Sequence, residues 1–121
     1  MDLQEILERF SIITNLSMDE VSPWIPLCED ASQEIERNLK EGANTGENSR
    51  RLNAAVAALA FYRYVLYRAS GGGMESFTAG ELRIRTNSQV NVKIAYEVWM
   101  GAKSAIADLL VDDNFMFERI V

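Results

Sequence analysis

Twenty residues in the middle of the chain, RRLNAAVAALAFYRYVLYRA from Arg50 to Ala69, set the terms for everything else. Read at helical spacing, this stretch is apolar nearly all round, with Leu52, Ala55, Val56, Leu59, Ala60, Tyr62 and Leu66. Asn53, Arg63 and Arg68 are its polar exceptions. A helix that is apolar on most sides must be surrounded by others, so it belongs at the centre of a bundle. Its alanines allow those neighbours to come close. Ser49 is placed to cap it, and Gly71-Gly72-Gly73 end it.

The rest of the chain supplies candidate neighbours. Leu3, Ile6, Leu7 and Phe10 recur at i, i+3, i+4 and i+7, which predicts a short amphipathic helix with Asp2 near its N-terminus. Ser17-Met-Asp-Glu20 has the capping-box pattern and predicts a second helical start. Pro23 suits the first turn of a helix capped by Ser22, and the pattern runs to about Glu41, with Gly42 as its stop. Leu27, Cys28, Ala31, Ile35 and Leu39 share its inner face. A last long helix is expected from Ser88, carrying Ile94, Ala95, Val98, Trp99, Ala102, Ala105, Ile106 and Leu109, with Asp112-Asp113-Asn114 as its break. The whole chain, 1–121, reads as one mainly α domain: a compact bundle of about four helices.

Between the last two long helices the pattern changes. From Phe77 to Thr86, Leu82 and Ile84 alternate with Arg83 and Arg85, and Ala79-Gly80 suits a tight turn. The expectation is a small β-hairpin over 76–86. Its strand edges would be unpaired within the chain, and such edges recruit strands from another chain. The closing residues 115–121 are too apolar for a free tail. Phe77, Leu82, Arg83, Ile84, Arg85, Phe115 and Phe117 are therefore the candidate subunit-interface residues.

Chemistry finds little support in this composition. There is no histidine, which removes the commonest general base and metal ligand. Cys28 is the one cysteine, and Glu29 and Asp30 beside it would raise its thiol pKa. The glycine triplet follows a helix and lacks the Lys-Ser/Thr of a phosphate loop. No catalytic residue, metal or cofactor is expected, and the chain does not read as an enzyme. The longest apolar run, Ala54 to Tyr62, is far shorter than a membrane span needs. No basic stretch followed by an apolar run opens the chain, so no export signal is expected. The net charge of −6 is uneven: residues 1–41 hold ten acids and three bases, and the remainder eight acids and nine bases. An acidic part of this kind opposes gripping DNA, although it suits a surface past which DNA slides.

Taken in order, LSMDEVSPWIPLCEDASQEIE, RRLNAAVAALAFYRYVLYRA, SFTAGELRI, a long helix and the closing DDNFMFERIV resemble the small head–tail connector proteins of tailed bacteriophages, also called adaptor or head-completion proteins. The resemblance covers nearly the whole chain and rests on order and spacing. It implies a structural virion protein that is made in the host cytoplasm and assembles as a ring beneath the portal. The ring would lead DNA from capsid to tail. Its partners would be further copies of itself, the portal protein and a tail or stopper protein. DNA would pass through without specific binding, and the isolated chain could be a monomer. Two other readings remain at this point. One is a helical DNA-binding packaging protein such as a small terminase subunit, using Arg50, Arg51, Arg83 and Arg85. The other is a cytoplasmic helical adaptor subunit.

Overall fold

The computed structural model describes residues 2–69 and 88–111, with side chains in the second stretch from Asn91 onward. The described chain is mainly helical. Helix α1 spans Leu3–Thr14 and the single turn α2 spans Met18–Val21. A 3-10 turn, Ser22–Trp24, leads into α3, Ile25–Arg37. The long helix α4 spans Ser49–Ala69. Helix α5 spans Ser88–Ala105 and is followed by a 3-10 turn, Ala107–Leu109. The hairpin expected over 76–86 lies outside the described residues, as does the Asp112-Asp113-Asn114 break. Among the described residues the β pairing is a single antiparallel bridge between Leu39 and Leu110. No helix of the described residues is long and apolar enough to cross a membrane.

Local signals account for the helix ends. The Asp2 carboxylate accepts the backbone N–H groups of Gln4 and Glu5, two donors that a helix start leaves without partners. Helix α1 stops at Asn15, whose φ of 60° is left-handed. The Leu16 N–H then returns to the Ser11 carbonyl and the Asn15 N–H to that of Ile12, a Schellman closure with asparagine in the glycine position. The capping box of α2 is complete: Ser17 accepts from the Glu20 N–H, and the Glu20 carboxylate accepts from the Ser17 N–H. Those same bonds favour the ionised form of Glu20 and lower its pKa.

Four boundaries differ from the sequence reading. Ser49 is the first residue of α4 rather than its cap, and α5 ends at Ala105, short of the expected break after Leu109. Ser22 does not cap α3; it opens the 3-10 turn, and Ile25-Pro26 begins the α-helix proper. Helix α3 also ends at Arg37, four residues before the expected stop. Asn38 terminates it, turning its side-chain amide back onto the Glu34 carbonyl at 2.8 Å. The cause is tertiary. Lys40 N–H reaches the Leu109 carbonyl at 2.7 Å and Val111 N–H reaches that of Asn38 at 2.8 Å, which holds the chain extended from residue 39. Gly42, with φ of +83°, serves the turn that follows rather than the helix.

Helix α4 lies at the centre, as its composition requires. Leu52, Asn53, Ala55 to Ala60 and Tyr62 are all buried. Helix α1 is tied to it at two points: Asp2 N–H donates to Asn53 Oδ1 at 3.1 Å, and Phe10 meets Tyr64 edge-on at 5.7 Å. Helix α3 runs antiparallel on another side, with Trp24 against Tyr67 and Glu34 paired to Arg63 at 3.2 Å. Helix α5 is antiparallel on a third side. Tyr62 packs on Tyr96, and Arg51 reaches the end of α5 at the Ala105 carbonyl and at Asp108. Trp99, Phe10, Ile6, Ile35, Leu52 and Leu59 are the largest fully buried apolar side chains. Full burial of such a group stabilises by about 1.5–3 kcal/mol before entropy is counted.

Candidate interaction surface

Three sides of α4 are covered by α1, α3 and α5, and the fourth is open. At 3.6 residues per turn, Ala54, Ala58, Phe61 and Val65 share that fourth side, opposite Arg63 and its partner α3. A groove along this stripe is interrupted at Ala58, which is buried, and opens into two separate hollows. Near the C-terminal end of α4, Thr14 of α1 and Asn91 and Ile94 of α5 line one of about 220 Å³ with Phe61, Tyr64, Val65, Arg68 and Ala69. Arg9, Ile12 and Ile13 of α1 flank Ala54 around a second of about 150 Å³.

The walls carry apolar side chains that the bundle leaves in solvent. Ile12 is 79% exposed, Ile94 51% and Val98 38%. Ile94, Val98 and Ala105 were expected among the core-facing residues of the last helix. Instead, α5 turns Ala95 and Trp99 inward, Ile106 and Leu109 after it are buried too, and Ile94, Val98 and Ala105 are exposed on its outer flank. One helix–helix contact covers only part of the apolar arc, and the remainder borders the groove. Lys103 is buried, and the periodicity offered no signal for a lysine there.

The opposite side of the molecule is acidic. Asp19 and Glu20 of α2 and Glu29, Asp30 and Glu36 of α3 are all exposed. On α3 this acidic surface is interrupted by exposed Arg37, and α3 lies across α4 from the two hollows.

The basic and aromatic groups of the central helix are mostly engaged within the fold. Arg63 is paired with Glu34. Arg51 bonds to Asn48, to the Ala105 carbonyl and to Asp108, whose carboxyl its hydrogen bond holds below the ordinary value. Trp24 stacks edge-on against Tyr64 at 4.7 Å and Tyr67 at 5.5 Å. Burial raises the Tyr64 phenol pKa, with Glu20 adding to the rise and Arg68 opposing it. Of the four arginines that the alternative DNA-binding reading would use, Arg51 is thus occupied in joining elements, Arg50 is exposed, and Arg83 and Arg85 lie outside the described residues. Cys28 is fully buried, and burial first and Glu29 second push its thiol up to about 12. A thiol so held is a core residue and no nucleophile at neutral pH.

All seven candidate interface residues, Phe77, Leu82, Arg83, Ile84, Arg85, Phe115 and Phe117, lie outside the described residues. The groove itself was not foreseen. Its signal was present in the excess of apolar positions on α5 beyond what one contact could bury. No family model, no curated protein and no solved structure matches the chain.

Proposed function

We propose that this protein is a structural subunit of a bacteriophage or prophage particle, a head–tail connector that joins copies of itself into a ring beneath the portal. The observation that carries this reading is the two-faced subunit. An acidic α2–α3 face suits the wall of a channel that must pass DNA without holding it, because phosphates are repelled from clustered carboxylates. The exposed apolar residues Ile12, Ile94 and Val98 and the segments 76–86 and 115–121 suit contact with neighbours. The engagement of Arg51 and Arg63 inside the fold weighs against a duplex-binding reading, which needs free guanidinium groups in a cluster. The order of segments along the chain, similar to that of connector proteins, supports the same conclusion.

In this role the protein performs no covalent step. It bridges the portal and a tail or stopper protein and fixes the path between them. The test is head completion. Purified heads lacking the protein are incubated with it and then with tails. Sedimentation of joined particles that depends on the added protein is the expected result. Heads that join tails equally well without it remove the connector reading.

A further inference from the structure

We propose that the outer flank of α5 is a dimer seam, on which the same helix of a second copy packs antiparallel. Asn91, Ile94, Val98 and Gly101 recur at intervals of three, four and three, the spacing at which two helices keep one seam in contact. All four are exposed, and they lie apart from Ala95 and Trp99, which face the core. Three observations make a second α5 the occupant.

The first is Gly101. Glycine weakens a helix interior relative to alanine. Nothing within the subunit calls for it: its φ is not positive, and a Cβ there would meet nothing within 4 Å. What a glycine on a helix surface permits is the close approach of another backbone. The second is size. An antiparallel pair with its two-fold axis level with Tyr96 sets Ile94 against the partner's Val98 twice, and Asn91 over the partner's Gly101 twice. The glycine then gives the asparagine its room. A parallel pair would stack glycine on glycine and leave a gap. Tyr96 is also near the middle of Ser88–Ala105, so the two helices overlap along almost their whole length of about 27 Å. The third is charge. Lys93 and Glu97 are exposed on one edge of the seam and make no ion pair among the described residues. Within one helix lysine before glutamate is the weaker order. In the antiparallel pair these edges lie side by side, and Lys93 runs beside the partner's Glu97 twice. In a parallel pair each such edge would face the opposite flank of the other helix.

This contact is two-fold and closes on two chains, so it cannot by itself build a ring. It describes the free protein, and a ring that uses Ile94 and Val98 must first part it. The inference stands on α5 and does not depend on the connector reading.

The experiment sediments the full chain to equilibrium across a concentration series. A reversible equilibrium between monomer and dimer is expected. Ile94→Asp with Val98→Asp should weaken it by roughly tenfold or more, and so should Gly101→Leu. The leucine has room within the subunit, so at a concentration where both are monomers Gly101→Leu should melt no lower than the parent. Lys93→Glu and Glu97→Lys should each weaken the dimer, and the two together should restore it. For the direction of packing, chains carrying Ile94→Cys are mixed with chains carrying Val98→Cys and oxidised; buried Cys28 does not compete. The mixed disulfide should dominate. An excess of disulfides between like chains overturns the proposal. So does a parent that is monomeric at every concentration, or an oligomer of any size that Gly101→Leu and the double aspartate variant leave intact.

Discussion

Cys28 is the simplest residue to test. Its thiol is buried against α4 and its pKa is raised to about 12, so a thiol reagent at pH 8 should not react with the folded chain. Modification should proceed only as fast as the protein opens, and its rate in urea should follow the unfolding transition. Rapid labelling in buffer would show that α3 is loosely held. Arg51 makes a second case. It joins the loop before α4 to the end of α5 through Asn48, the Ala105 carbonyl and Asp108. The pair is partly exposed, so Arg51→Ala should cost about 1 kcal/mol and lower Tm by about 3–5 °C. The Asp108 carboxyl has a folded pKa below its ordinary 3.8, chiefly through the Arg51 hydrogen bond. Its contribution is present above 3.8 and is lost as pH falls through the lower folded value. Asp108→Asn should therefore lower stability at neutral pH and flatten the acid limb of the stability profile. An acid limb parallel to that of the parent would exclude the link.

At the scale of the helices, α4 carries the argument. Leu59 is fully buried on it. Leu59→Ala should cost about 2–5 kcal/mol by chemical denaturation, and Leu59→Asp should leave no cooperatively folded state, because the buried carboxylate would have no partner. A soluble Leu59→Asp variant that melts cooperatively would place Leu59 outside the core. The central position of α4 was legible because Ala54 to Ala60 is an unbroken apolar run of nearly two turns, which leaves no polar side. The caps at Asp2 and Ser17 were legible because their bonds are local. The end of α3 was not. Gly42 is a good helix stop, yet Leu39 pairs with Leu110, and a contact so distant in sequence leaves no local mark. The inward face of α5 was half legible. Ala95, Trp99 and Ile106 were read correctly, while Ile94 and Val98 follow the same period and are exposed, Ile94 at the larger hollow. Periodicity reports which residues avoid water and is silent on whether the cover is a helix of the bundle. For the same reason the groove could not be read in advance, since it exists only where three helices leave a side of α4 bare.

At the scale of the whole molecule, the segment between α4 and α5 is the place to separate folding from assembly. Replacing residues 76–86 by a short Gly-Ser linker should spare the helices, because the buried core of the described residues is complete without them. It should abolish attachment to heads, because the strand edges proposed to pair would be gone. The two measurements are a melting curve and head completion in vitro. A linker variant that melts like the parent and still completes heads removes the segment from the interface. The bridge between Leu39 and Leu110 bears on how the protein is made. It joins residues about 70 positions apart, and closing so long a loop is entropically costly until the helices between have gathered. On the ribosome, α1, α3 and α4 are all complete before α5 exists. In that interval the side of α4 that will receive Trp99 and Tyr96 has no cover, and α3 has no strand on which to end. The nascent chain thus passes through a stage with its central helix open along one flank, and translation of the last quarter of the sequence seals it.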